Sequence, residues 1–171
     1  MNENDNCITD DQLDPNFKYE IVNEPGGDSF LKCFQCGTCT ASCPVKVVYP
    51  EFNPRRIIRL IKLGAKELVL TSSFVWMCSA CYSCYERCPQ EVDITSFMAT
   101  LKNMAARQGF APTGLKGLLD LLDDFGALGE ITDFENTIRS KANIEEIQQN
   151  ADNVRTVLKE SRIRKVLEGE A

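Results

Sequence analysis

Residues 33–44 read CFQCGTCTASCP, and residues 78–89 read CSACYSCYERCP. Both follow C-x2-C-x2-C-x3-C-P, and the offset between them is constant, since 78 − 33 and 88 − 43 both give 45. Whatever chemistry the first stretch performs, the chain holds in two copies.

The rest of the composition narrows that chemistry. With 171 residues, 43% of them hydrophobic and 26% charged, the chain can build one packed domain, alone or with an appended segment. Its net charge of −6 speaks against a nucleic-acid partner, because holding phosphates needs a concentrated positive surface. No apolar run approaches the roughly 20 residues of a bilayer-spanning helix, so no direct membrane insertion is expected. The opening MNENDNCITDD has neither the basic nor the apolar part of a secretory signal, which predicts a cytoplasmic chain. In a reducing compartment, nine cysteines point to metal or redox chemistry rather than to disulfides. There is no histidine for general-base work, no G-x-G-x-x-G and no P-loop, so no catalytic residue is named. Glu86 reads as surface charge and Asp93 as a helix cap.

Three cysteines at i, i+3 and i+6 on a tight turn can aim three thiolates at one corner of a cube. A [4Fe–4S] cluster takes one thiolate per iron, so the fourth comes from elsewhere. The pattern is similar to the run of two-cluster ferredoxins, in which the cysteine before proline serves the other cluster. That assigns Cys33, Cys36, Cys39 and Cys88 to one cluster, and Cys78, Cys81, Cys84 and Cys43 to a second. Pro44 and Pro89 have no N–H to donate and turn the chain away from the cluster. A zinc-stabilised interaction module is the alternative use of so many thiols. Structural zinc, however, usually takes two separated C-x2-C pairs, not a triplet plus C-P. Cys7 has no partner motif and reads as a free thiol. Phe34, Trp76, Tyr82 and Tyr85 flank the ligands and are expected to shield the clusters.

The remainder reads as helix. Residues 1–28 form a lead-in, with a short extended segment suggested by Phe17, Tyr19, Ile21 and Val22. Asn53 and Pro54 open a helix with Ile57, Ile58, Leu60 and Ile61 on its buried face and Gly64 as its stop. A shorter piece runs from Glu67 to Leu70, and Thr71, Ser72 and Ser73 form a second capping cluster. Asp93 starts a helix to about Arg107 along Ile94, Phe97, Met98 and Leu101, ended by Gly109. Leu115, Leu118, Leu119 and Leu122 mark another, and Ile144, Ile147, Val154, Val157 and Leu158 suggest a last. Arg55, Arg59, Lys62 and Lys66 form a basic stripe on the Pro54 helix, either a solvated face or a dock for an acidic partner. The fold class is all-α: a two-cluster domain over 29–110 and a C-terminal helical segment over 111–171 that serves as a subunit contact.

Short bacterial ferredoxins join their motifs with less chain and wrap them in β-hairpins. Here 78 − 43 − 1 = 34 residues of helical pattern intervene. This resembles the α-helical ferredoxin domain of succinate dehydrogenase iron–sulfur subunits and of heterodisulfide reductases. It is nearest to the C subunit of heterodisulfide reductase, through CFQCGTCTASCPV, NPRRIIRLIKLGAKELVL and FVWMCSACYSCYERCPQEVDI. The resemblance implies two [4Fe–4S] clusters relaying electrons between two partners of the same complex, a flavin-containing A subunit and a B subunit. In that family the B subunit has noncubane clusters in CCG motifs and reduces the coenzyme M–coenzyme B heterodisulfide of methanogens. Some such complexes add hydrogenase or formate dehydrogenase components. No CCG motif occurs here, so the disulfide site is expected on another polypeptide. The succinate or fumarate alternative needs an additional [2Fe–2S] domain, and only Cys7 precedes Cys33.

Overall fold

The computed structural model describes residues 8–169, and Cys7 lies outside them. Among the described residues there are eleven α-helices and no strand. None of these helices is long and apolar enough to cross a membrane. The chain divides into two compact units, one ending at Ala105 and the other beginning at Ala106.

The first unit begins with a correction. Helix α1, Phe17–Val22, stands where an extended segment was expected. In a strand Phe17, Tyr19 and Ile21 would share one face. Instead Phe17 and Ile21, four apart, are fully buried while Tyr19 is 55% exposed, the pattern that only a helical period gives. Two single-turn helices, α2 (Thr38–Ala41) and α6 (Ser83–Glu86), lie inside the two cysteine motifs at the same 45-residue offset and pack on each other. Pro44 opens α3, Pro44–Val48.

Helix α4, Pro54–Leu63, forms as its sequence dictates. Asn53 Oδ1 accepts the Arg56 N–H at 3.0 Å, Pro54 occupies the first turn, and Ile57, Ile58, Leu60 and Ile61 are buried. Gly64 ends it at φ 87°. A Cβ there would also collide with the carbonyl of Asp14, whose N–H donates to Gly64 O at 2.8 Å. Helix α5, Lys66–Leu70, follows. The expected capping cluster works in reverse. Thr71 and Ser72 donate their hydroxyls back to Glu67 O and Val69 O, closing α5. The 3-10 turn at Ser73–Val75 has no side-chain cap.

Helix α7, Ile94–Arg107, starts at Asp93, whose Oδ1 accepts the Ser96 N–H at 3.0 Å. Phe97, Met98 and Leu101 are buried, and the Phe97 ring meets Phe30 with centroids 5.2 Å apart. Such a pair adds about 0.5–1.5 kcal/mol beyond the area it buries.

The second unit holds α8 (Thr113–Phe125), α9 (Asp133–Lys141), α10 (Asp152–Ser161) and α11 (Ile163–Glu168). Helices α8, α10 and α11 pack on one another, and Arg164 ties α11 to α8 through Asp120 (2.8 Å) and Asp123 (3.1 Å). The last expected helix begins later than Ile144, as α10 at Asp152, and α11 follows beyond its expected end at Leu158. Residues 144–150 are irregular because Asn136 pins them to α9, donating to Ile147 O and accepting the Ile147 N–H. Helix α9 itself was not anticipated. Its start is fixed by a capping box between Thr132 and Glu135, but its apolar residues Phe134 and Ile138 are exposed, so no buried stripe announces it.

Candidate metal centre

The two motifs fold alike over their first three cysteines. The positions flanking the second cysteine take left-handed backbone in both copies: Gln35 (φ 67°) and Gly37 (φ 90°) in the first, Ala80 (φ 51°) and Tyr82 (φ 60°) in the second. Three of these four are not glycine, and a side chain there costs about 1–2 kcal/mol. The same strained turn twice marks a shape that the site requires. It sends successive thiols to matching depths. Cys36 and Cys81 are exposed, Cys39 and Cys84 buried, and Cys33 and Cys78 in between.

Each motif also places a hydroxyl two residues beyond its exposed cysteine. Thr38 Oγ1 lies 3.4 Å from Cys36 Sγ, and Ser83 Oγ lies 3.6 Å from Cys81 Sγ. The Thr38 hydroxyl, followed by its N–H, lowers the Cys36 pKa, and the Ser83 N–H, followed by its hydroxyl, does the same for Cys81. The buried pair moves the other way. Burial raises Cys39, with the neighbouring Cys33 and Cys36 adding to the effect. Burial pushes the Cys84 thiol up to about 11, against its contact with Thr95. Backbone N–H groups reach two further sulfurs, Gln35 N–H to Cys33 Sγ at 3.4 Å and Val92 N–H to Cys88 Sγ at 3.3 Å.

The decisive geometry is a cavity lined by Cys43, Cys78, Cys81 and Cys84, closed by Val45, Phe52, Pro54, Ile94 and Met98. Cys43 belongs to the first motif and the other three to the second. Four thiols, set among these apolar side chains and the hydroxyls of Ser79, Tyr82, Ser83 and Thr95 with no carboxylate in the lining, fit the donor set of an iron–sulfur cubane. Among the described residues no three Cys, Asp or Glu groups converge closely enough to bind one metal ion. A cubane makes no such demand, since each thiolate meets its own iron. For the other set, Cys33 and Cys36 both act electrostatically on Cys39, and Cys88 sits just beyond α6, the helix packed on α2.

The aromatic residues shield less than expected. Phe34 is 59% exposed and Tyr82 and Tyr85 are exposed as well, while Trp76 is half-buried against the core. The basic stripe is shorter than expected. Helix α4 ends at Leu63, Lys66 pairs with Glu20 at 2.6 Å, and the Lys62 ammonium turns inward to donate to Cys33 O at 2.7 Å and Leu31 O at 3.3 Å. What remains is Arg55, Arg56 and Arg59 around an open depression that also includes Gln35 and Asn53. Two features are not apparent from the sequence. One is the hydroxyl pair, whose only signal is the parallel between C-G-T-C and C-Y-S-C. The other is a lysine on each motif, since Lys102 Nζ donates to Cys78 O at 3.0 Å.

Two matching cysteine turns carried on packed helices α2 and α6 are the arrangement of an iron–sulfur protein. The family model of the 4Fe-4S dicluster domain matches residues 29–92. Three similar proteins narrow this further. The C subunit of the H(2):CoB-CoM heterodisulfide,ferredoxin reductase of Methanothermobacter thermautotrophicus is 41% identical over 110 residues, 64% of this chain and 58% of that protein. The iron-sulfur C subunit of the CoB--CoM heterodisulfide reductase of Methanopyrus kandleri is 32% identical over 150 residues, 84% of this chain and 78% of that protein. The C subunit of the ferredoxin:CoB-CoM heterodisulfide reductase of Methanosarcina mazei is 40% identical over 89 residues, 52% of this chain and 54% of that protein. The chain belongs to the family of CoB–CoM heterodisulfide reductase C subunits. It spans little more than half the length of the first of these relatives.

Proposed function

We propose that this chain is the electron-transferring member of a heterodisulfide reductase complex, holding two [4Fe–4S] clusters and passing single electrons between the flavin-containing A subunit and the disulfide-reducing B subunit. Cys43, Cys78, Cys81 and Cys84 hold one cluster, and Cys33, Cys36, Cys39 and Cys88 hold the other. The observation that carries this reading is the cavity in which Cys43 joins the three cysteines of the opposite motif. When bound, each cluster supplies one-electron acceptance and release. The protein supplies thiolates at fixed depth, N–H groups aimed at sulfur, and apolar packing from Val45, Phe52, Ile94 and Met98 beside Cys43. The exposed Cys36 and Cys81 mark where electrons enter and leave. The heterodisulfide of coenzymes M and B, named for the relatives, is the substrate of the complex and not of this chain.

Cys43→Ala tests the assignment. It should strip iron from the cluster of Cys78, Cys81 and Cys84 while the cluster of Cys33, Cys36 and Cys39 survives, as read by iron analysis and low-temperature EPR. Loss confined to the motif that contains Cys43 would overturn the crossed ligation.

A further inference from the structure

Two helices beyond the motifs, α4 and α7, carry a matched pair of lysines. Lys62 lies on α4, nine residues beyond its cap Asn53, and Lys102 lies on α7, nine residues beyond Asp93 (62 − 53 = 9 and 102 − 93 = 9). Each ammonium crosses to the first cysteine of one motif and donates to its carbonyl, Lys62 to Cys33 O at 2.7 Å and Lys102 to Cys78 O at 3.0 Å. Both side chains are half-buried, and among the described residues no carboxylate pairs with either. Two positive charges are thus held, uncompensated, one at the entry of each cysteine turn. A carbonyl needing only a hydrogen bond could have met a neutral donor, and half-burying an ammonium costs desolvation. The repetition at equal register, on helices of different length and sequence, points to a use for the charge.

We propose that Lys62 and Lys102 are potential-setting residues, each raising the reduction potential of the cluster held by its own motif; this rests on the cluster assignment above. Reduction of a cluster adds one electron and one negative charge, with no bond made or broken. A fixed positive charge a few ångströms behind the first ligand stabilises that reduced form more than the oxidised one. Interactions at this range in a partly desolvated site are not screened away by salt. Neutralising one lysine should therefore disfavour reduction of its own cluster on the order of tenfold, about 59 mV for one electron. The other cluster, tied to the other lysine, should move much less.

The test is an EPR-monitored redox titration of the cluster-loaded full chain. Lys62→Gln and Lys102→Gln keep a donor for the carbonyl and remove the charge, while Lys62→Arg and Lys102→Arg keep the charge. Each Gln variant should lower one of the two midpoint potentials, a different one for each lysine, and the Arg variants should stay close to the original. Unmoved potentials in the Gln variants overturn the proposal. So do equal shifts in Gln and Arg variants, which would mark both lysines as structural ties. Should one Gln variant fail to hold its cluster, the other lysine gives the same comparison independently. An original chain that takes up no iron overturns the cluster assignment and this proposal together; iron present with unmoved potentials overturns this proposal alone.

Discussion

The eight motif cysteines fall into classes by depth, and depth sets their chemistry before any metal arrives. In the metal-free chain Cys36 and Cys81 are exposed and hydrogen-bonded in ways that favour the thiolate, while Cys39 and Cys84 are buried and favour the thiol. The thiolate is the nucleophile, so alkylation near neutral pH should modify Cys36 and Cys81 first, on the order of tenfold faster than Cys39 and Cys84. Mass spectrometry of a time course checks that order. The same shifts give a pH dependence. Cys84 holds its proton more tightly folded than unfolded, its pKa rising from 9.0 to about 11. Its contribution to stability is therefore complete below pH 9 and is lost as the pH climbs towards 11. Urea unfolding of the metal-free chain should show that loss, and Cys84→Ala, with nothing to ionise there, should reduce it to the part that the raised Cys39 keeps. At this scale the paired cysteine turns were legible in the sequence and the groups that support them were not. The cysteine spacing is written in the chain, but Lys62 and Lys102 stand 29 and 24 residues after the cysteines they touch. Their equivalence emerges only when counted from Asn53 and Asp93.

Helices announce themselves through caps and buried stripes, and where either is missing the sequence misleads. Asn53-Pro54 and Gly64 bracket α4 as read, because cap, proline and left-handed stop all agree. Helix α1 is too short for a period to show, so one turn with Phe17 and Ile21 inside passes for an alternating strand. Helix α9 buries neither of its large apolar residues. The basic face of α4 was legible in part. Lys62 and Lys66 are engaged within the first unit, whereas Arg55, Arg56 and Arg59 remain exposed. A Cβ at Gly37, the residue after the exposed Cys36, would lie 3.6 Å from Arg55 Nη1. In a chain of net charge −6 such a cluster is a local inversion of sign, suited to drawing an acidic redox surface towards the cluster edge. Reversing Arg55 and Arg59 to Glu should slow association with such a partner on the order of tenfold at low salt and flatten its salt dependence, with iron content unchanged. Stopped-flow binding across a range of ionic strength reads both. Equal rates in both proteins would leave the arginines as a solvated face.

Taken whole, the chain spends its chemistry on one unit. All the motif cysteines, both lysines and the three arginines lie before Ala106, and the second unit offers helices with exposed apolar residues such as Phe134, Ile138 and Val157. Its Arg164, between Asp120 and Asp123, is an ion-pair tie between two of its own helices. No histidine exists in either unit to serve a nucleophile as base, and the motif cysteines are committed to the proposed cluster sites. On the proposed ligation each iron would be capped by a thiolate, leaving no open position for a disulfide sulfur, and the chain would pass electrons and leave the bond to its partner. The purified, cluster-loaded chain should accordingly be reduced by dithionite and reoxidised by a dye at full rate. Supplied with the coenzyme M–coenzyme B heterodisulfide, it should release no thiol above the uncatalysed background. Adding the disulfide-reducing partner should start thiol release in proportion to the complex formed. The Cys43→Ala chain, without one of the two proposed clusters, should slow that release on the order of tenfold while still binding the same partner, since electrons would have to cross the gap that cluster bridges. Thiol release by the isolated chain, in a preparation shown by mass spectrometry to be free of that partner, would require a substrate site that the cluster assignment leaves no motif cysteine to build.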